Sequence, residues 1–398
     1  MTASCRLAAV GLACSLGSDV DEVWPRLRSA DGGLLTRRDD LVKGTPRFFG
    51  QVLETLPEIP AGLERYACRN NRIAMACYRG IEPAVEAAIA RYGAGRVATV
   101  VGSSTAGVAE AEHAIAQWRR SGSLPARFDL VQLEYGGLSE FVSALSGAAG
   151  PAYALSTACS TGAKTLASAR SLLELGLCDA VIAGAVDSLC AVTANGFHAL
   201  QAMSAEITNP MSQRRSGLTL GEGGALFLLT REEGGIALAG VGEASDAHHI
   251  SAPDPAGRGA EISMRGALAD AAIDAADIAY LNLHGTGTAQ NDAMESDAVA
   301  RVFSPPPPCS STKPLIGHTL GASGALEAAF CWLILDRREG DRLHLPPHRY
   351  DGDYDENLPA LDLVVDAGSV AVGAPAHVMT NSFGFGGSNC ALVLRSEA

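Results

Sequence analysis

Aromatic residues are scarce, at 5% of 398 residues, so aliphatic side chains and alanine must fill the core. None of the 10 cysteines forms a C-x-x-C pair, which disfavours a zinc site or a redox dithiol. No apolar run reaches the roughly 18 residues that a membrane helix needs. Positive charge is also in short supply. Lys and Arg number 30 against 44 Asp and Glu, a formal net charge of −14. That excludes non-specific binding to nucleic acid or anionic lipid as the main role. The opening stretch MTASCRLAAVGLACSLGSD lacks the basic segment and long apolar segment of a secretory signal. It reads instead as a first β-strand. Cysteines scattered in apolar surroundings fit a reduced compartment, so a cytoplasmic location is expected.

What is present is apolar and glycine-rich. Hydrophobic residues make up 47% and charged residues 19%, enough for a large core. Length alone, at about 150 residues per domain, allows two or three domains. The 44 glycines follow no G-x-y period and cluster at what look like turns, excluding collagen. Short apolar runs alternate with alanine-rich helical stretches, the pattern of an α/β protein. Strands are expected at 6–13, 97–102, 152–157, 180–184 and 224–230, and helices at 73–92, 106–118 and 161–175. The order then restarts, with strands at 236–241, 278–283, 310–312, 377–380 and 390–394 and helices at 260–272 and 324–335. Two related halves follow, residues 1–235 and 236–398. Pro305–Pro308 reads as a stiff surface connection, and 342–362 as an irregular surface loop.

Three strand ends carry chemistry. In Ser156-Thr157-Ala158-Cys159-Ser160-Thr161-Gly162 an apolar strand ends, small residues follow and a helix begins. A cysteine there sees the positive end of the helix dipole, which lowers its pKa, and its N–H can face a developing oxyanion. A buried core cysteine remains the alternative. His284, in His284-Gly285-Thr286-Gly287-Thr288, and His318, in Gly317-His318-Thr319-Leu320-Gly321, both read as ending strands in glycine-rich turns. That is where a site on an open sheet lies. One such histidine is usually structural; two with a cysteine at a third strand end point to a shared site.

Together these blocks resemble the β-ketoacyl-acyl-carrier-protein synthases of the thiolase superfamily. The resemblance spans nearly the whole chain. It rests on the opening strand with Gly17 and Trp24, Ser156–Cys159, Gly221-Glu222-Gly223-Gly224, the two histidine motifs and Gly384-Phe385-Gly386-Gly387. It implies a thiolase-like α/β fold, a five-layer αβαβα sandwich of two pseudo-repeated halves, and a dimer. Cys159, His284 and His318 match the elongating Cys-His-His branch rather than the two-cysteine thiolases. Cys390, near where a thiolase needs its second cysteine, reads as core. Stretches around Cys178–Ala180, Val186–Leu189 and Gly196–His198 resemble ketosynthases of the bacterial aryl-polyene type.

The resemblance also implies roles. Cys159 would take an acyl group from a carrier as a thioester. His284 and His318 would stabilise the enolate formed when malonyl carrier loses CO2. The N–H groups of Cys159 and Phe385 would form a second oxyanion hole, with Phe385 gating the acyl pocket. Lys313 and Glu295 would belong to a supporting buried network, and Asp292 nearby reads equally as a helix cap. Thr286 and Thr288 would bind the 4′-phosphopantetheine arm. No metal and no separate cofactor is expected. The partners implied are an acyl carrier protein and either a second copy or a chain-length-factor-like subunit. An acidic carrier needs a basic patch, for which Arg65, Arg69 and Arg72, and Arg119, Arg120 and Arg127, are candidates. The stretch Asn209-Pro210-Met211-Ser212-Gln213-Arg214-Arg215-Ser216-Gly217 departs from the family, because its usual aromatic and acids are missing. Rival readings are a subunit active only with its partner, a binding subunit without condensation activity, and a transacylase or thiolase using coenzyme A thioesters.

Overall fold

A computed structural model describes residues 5–29 and 34–397. The first four residues of the opening stretch lie outside these. Ten strands form one mixed sheet. They are β1 (Arg6–Ala13), β2 (Val97–Gly102), β3 (Ala152–Leu155), β4 (Ala180–Asp187), β5 (Gly223–Thr230), β6 (Ile236–Ser245), β7 (Ile278–Asn282), β8 (Cys309–Ser310), β9 (Ala376–Gly384) and β10 (Ser388–Ser396). Their spatial order is β8-β7-β9-β10-β6-β1-β5-β4-β2-β3.

That order contains a repeat. From the centre outward the first half runs β1-β5-β4-β2-β3 and the second runs β6-β10-β9-β7-β8. In each half the first strand pairs antiparallel with the fifth and the fifth antiparallel with the fourth. The fourth, second and third then run parallel. The halves join at one pairing, Arg6 with Ala237. β4 and β5 are buried along their whole length, as expected of strands covered on both faces.

Helices complete the layers. The third strand of each half leads to a central helix, Thr161–Glu174 and Ser323–Asp336. The two pack together in the largest core cluster. The second has 12 buried residues among its 14, the pattern of a helix surrounded by protein. Helices Arg69–Arg79 and Tyr135–Ser146 cover the outer face of the first half. Arg258–Ala271 and Ala289–Val302 cover that of the second. The resulting αβαβα stacking is the thiolase-like fold.

Three local expectations are corrected. The helix expected over 73–92 is two, Arg69–Arg79 and Glu82–Tyr92. It breaks because Gly80 packs against Gly11, where a side chain would lie 2.6 Å from the Gly11 Cα, and Pro83 opens the second helix. The segment 342–362 is not wholly a surface loop. Arg342–Leu345 pairs antiparallel with Gly368–Ala371, and Leu343, Leu345 and His348 are buried. His318 does not end a strand. It follows the one-turn helix Lys313–Ile316 and Gly317, whose φ is +75°.

Glu222, in the Gly221–Gly224 block, has a structural task. Its buried carboxylate accepts the Val52 and Leu189 N–H groups and pairs with the Arg69 guanidinium. Glu222→Ala would leave two amides and a half-buried guanidinium without their acceptor. A loss of about 2–4 kcal/mol is expected, read as a lower urea midpoint at unchanged slope. An unshifted midpoint would contradict this role.

Candidate active site

The site forms where the two central helices begin. Cys159 precedes the first, and Ala158 before it has φ +52°, a left-handed conformation that L residues adopt at a cost. The turn is held by its own hydroxyls. Thr161 Oγ1 accepts the Thr157 N–H at 2.8 Å and donates to the Ala158 carbonyl at 2.6 Å. The Ser160 hydroxyl donates to the Thr157 carbonyl at 2.9 Å. Small side chains are needed because a methyl group on Gly162 would sit 2.4 Å from the Ala325 nitrogen.

His318 precedes the second central helix. Its Nε2 lies 3.0 Å from Cys159 Sγ, and its Nδ1 lies 2.8 Å from Ser323 Oγ. Its backbone is pinned on both sides, the N–H to Thr219 O and the carbonyl to Gly221 N–H. His284 arrives from the end of β7. Its ring stands nearly perpendicular to that of His318, with centroids 5.3 Å apart. The donor atoms of Cys159, His284 and His318 all lie within 4.8 Å of one another. A thiolate and two imidazoles are soft-metal donors, so the cluster could hold a zinc ion, though only by occupying the nucleophile.

Glu295, from helix Ala289–Val302, shapes the His284 turn. Its two oxygens accept the N–H groups of His284 and Gly285, each at 2.7 Å. Asp292, one turn earlier, accepts the Gly287 and Met211 N–H groups; it is buried, not a solvated cap. Lys313 is also fully buried, and its direct partner is Glu327, not Glu295, at 2.5 Å. Glu327 is a site residue the sequence reading missed. The available signal was a lone acid inside the apolar helix Ser-Gly-Ala-Leu-Glu-Ala-Ala-Phe.

Phe385 is about one-third exposed and packs on Phe197, with ring centroids 5.5 Å apart. The glycines after it, Gly386 and Gly387, have φ of +80° and +75°, and the Cβ-free Gly384 passes close to the Cys159 nitrogen. Thr286 and Thr288 place their hydroxyls 2.9 Å apart. Both line a 580 Å³ cavity that Cys159, His284, His318 and Phe385 also line. Cys390 lies in the core of β10, away from this cavity.

Burial governs the electrostatics. It holds both imidazoles well below the usual histidine value, and the Lys313 charge adds to this. Both rings are therefore neutral at neutral pH. The Cys159 thiol is pushed up to about 11 by burial, against the opposing pull of Lys313 and the Phe385 backbone. The lowered pKa expected from the helix-terminal position is thus not found, because desolvation outweighs the groups that favour the thiolate.

The expected basic patches fare differently. Arg69 is used by Glu222, Arg72 by the Leu56 and Pro57 carbonyls and Glu58, and Arg65 by Asp129. Among the described residues Arg119, Arg120 and Arg127 have no ion pair. They are exposed beside Ile115, Trp118 and Leu124, which are also exposed.

Two expectations follow. Alkylation of Cys159 by iodoacetamide should climb about tenfold per pH unit from pH 7 to 10; a plateau by pH 8 would contradict a thiol held up by burial. Neutral His284 and His318 have folded pKa values below the reference value of 6.5. The unfolded chain then binds more protons below that pH. Unfolding free energy should fall with decreasing pH by about 1.4 kcal/mol per unit per histidine, measured by urea titration between pH 6.5 and 5.

Comparison with known proteins adds to this geometry. Residues 65–234 match the family model "Beta-ketoacyl synthase, N-terminal domain" and residues 236–341 match "Beta-ketoacyl synthase, C-terminal domain". Nodulation protein E of Rhizobium meliloti is 30% identical over 406 residues, covering 98% of each chain. A 3-oxoacyl-[acyl-carrier-protein] synthase 2 of the same species is 37% identical over 266 residues, 62% of this chain and 61% of that protein. Among solved structures, the ketosynthase ApeO in complex with its chain length factor ApeC, from Xenorhabdus doucetiae, aligns with a TM-score of 0.92. It shows 41% identity over 99% of this chain and 98% of that one.

Proposed function

This chain belongs to the β-ketoacyl synthase family, and from that premise we propose that it elongates an aryl-polyene-type polyketide chain on an acyl carrier protein, paired with a chain-length-factor-like subunit. The family membership makes it an acyltransferase that forms 3-oxoacyl thioesters. One observation carries the mechanism: two neutral imidazoles stand beside a buried thiol, and all three line the same cavity.

In the first stage Cys159 Sγ attacks the acyl thioester carbonyl. His318 Nε2, 3.0 Å away, takes the thiol proton and returns it to the departing carrier thiolate. The carrier leaves as a free thiol and the acyl group stays on Cys159. In the second stage malonyl carrier enters by the same cavity. Its C–CO2 bond breaks, CO2 departs, and the electron pair moves into the thioester as an enolate. With the thiol proton gone, the His318 proton shifts from Nδ1, which faces Ser323 Oγ, to Nε2, and the N–H groups of His284 and His318 then stabilise the enolate oxygen. A neutral imidazole suits this task, since it donates a hydrogen bond without needing a counter-ion in a buried site. The enolate carbon attacks the acyl carbonyl, whose oxyanion is met by the Cys159 and Phe385 N–H groups. Collapse expels the Cys159 thiolate, which takes one proton from solvent, the proton that loss of CO2 from a carboxylate consumes overall. Thr286 and Thr288 hold the phosphopantetheine arm, Phe385 gates the cavity, Glu295 supports the His284 turn, and Lys313, paired with Glu327, supports the histidines by its charge. The substrates carry their own phosphopantetheine, so no cofactor or metal is required.

Pairing with a second subunit is supported by the edge of the sheet. β3 is an outermost strand with one free side, and Ile115, Trp118, Leu124, Leu130 and Tyr135 are all exposed. Such an edge and apolar surface need covering. The free cations Arg119, Arg120 and Arg127 suit an acidic carrier better than the first arginine cluster, whose charges are spent internally. No described helix is long and apolar enough to cross a membrane, and we place the protein in the cytoplasm.

Incubation with acyl- and malonyl-carrier, alone and with a chain-length-factor-like partner, should give a product two carbons longer with release of CO2. Cys159→Ala should abolish it. Absence of extension under both conditions would overturn the proposal, and equal turnover of coenzyme A thioesters would favour the thiolase reading.

A further inference from the structure

His348 lies outside the cavity yet is fully buried. Its two nitrogens bridge two segments of the site. Nδ1 accepts the Ser311 N–H at 3.0 Å, and Nε2 faces the Pro210 carbonyl, also at 3.0 Å. The partners fix the tautomer: a ring nitrogen facing an N–H is bare, and one facing a carbonyl carries the proton. Burial pushes the imidazole down to about 4, so it keeps one donor and one acceptor at neutral pH.

Each partner leads to the cavity. The Ser311 hydroxyl donates to the Gly285 carbonyl at 2.7 Å, in the turn that carries His284. Pro210 belongs to the loop 208–217, whose Arg215, Ser216 and Gly217 line the cavity wall. That loop touches the same turn, through Gly217 N–H to Gly287 O and Thr208 Oγ1–H to Thr286 O.

The loop is further tied down three residues beyond His348. The Asp351 carboxylate accepts from Asn209 Nδ2, Ser212 Oγ and Arg214 Nε, at 2.7, 2.9 and 2.8 Å. Asp355 takes the Arg215 guanidinium at 2.6 Å, and its N–H donates to the Met211 carbonyl. Met211 sits at φ +62°, a conformation that persists only where the surroundings impose it. This is the loop whose sequence lacks the aromatic and acids usual in the family. The acids come here from 351–355 instead.

We infer that His348 and Asp351 are positioning residues, a clamp that holds the 208–217 wall of the cavity against the turn carrying His284. The inference rests on the condensation reading for its activity test but not for its structural one.

The test compares His348→Leu, His348→Gln and His348→Gly. A glutamine amide offers an acceptor and a donor and should keep kcat/KM for malonyl carrier within about threefold of wild type. Leucine offers neither and should lose at least about tenfold, mainly through a higher KM. Added imidazole should restore the glycine variant, whereas 1-methylimidazole, which lacks the N–H, should not. Hydrogen exchange should quicken in both 208–217 and 284–288 of the leucine variant. If that variant does not fold, Asp351→Ala frees the loop from its exposed end and is judged by the same exchange readout. Wild-type kinetics in His348→Leu, equal rescue by 1-methylimidazole, or exchange changes confined to 345–350 would each overturn the clamp. If the wild type does not condense, the exchange comparison still decides it, so the two failures are distinguishable.

Discussion

The close approach of two helices is the constraint on which the site depends. Thr161–Glu174 and Ser323–Asp336 meet at their first turns, where Gly162 faces Ala325 and Gly324 faces Ala163. A methyl group on Gly162 or Gly324 would fall within 2.4–2.6 Å of a facing backbone nitrogen, inside any allowed contact. Each helix follows the third strand of its half, so the contact lies on the pseudo-symmetry of the fold. Each helix is also preceded by a reactive group, Cys159 in one and His318 in the other. Bringing the helix starts together is what brings Sγ within 3.0 Å of Nε2. The duplicated topology thus places a nucleophile and its proton acceptor side by side, one from each half.

Burial then sets the chemistry of what has been brought together. A thiol held up near 11 and two imidazoles held low make a site without net charge on its reacting groups. The buried cation beside them, Lys313, is paired with Glu327. The burial of Glu327 raises its carboxyl while the Lys313 charge lowers it, so each ion needs the other. The Lys313 charge still reaches the cluster, favouring thiolate over thiol and neutral over charged imidazole. The same positive field favours negative charge on the substrate or the sulfur, which is where condensation develops it.

The strands and the reacting residues were legible in the sequence because their signals are local. β1 and β2 were bounded to the residue by apolar runs between turn residues. Cys159 stood out between an apolar strand and a helix start, and His284 between an apolar strand and a glycine-rich turn. What was not legible was pairing. Lys313 was matched to Glu295 because both belong to recognisable blocks, yet its partner is Glu327, one turn into a helix that reads as pure core. Arg69 and Arg72 looked like a surface patch because helical spacing says nothing of what lies opposite. Opposite them are Glu222 and two backbone carbonyls. The thiol pKa was misjudged for a related reason: a helix terminus is visible in sequence, but the depth at which it is buried is not.

The same distinction explains the loop at 208–217. Its local sequence departs from the family, and local reasoning would expect a looser wall. In the fold its bonds are supplied from about 140 residues away, by Asp351 and Asp355 on a segment that reads as polar linker. His348 reaches it from the buried end of that segment. A loop that must hold Met211 at positive φ cannot rely on its own sequence, because an unrestrained chain would relax to a commoner conformation. The restraint therefore has to come from a partner segment, and that segment must be anchored in the core. β-Pairing of Arg342–Leu345 and burial of Leu343 and Leu345 provide the anchor. Changes in the anchoring segment and in the wall are then coupled: replacing Ser212 by an acid would set like charge against Asp351, so either segment can vary only with the other.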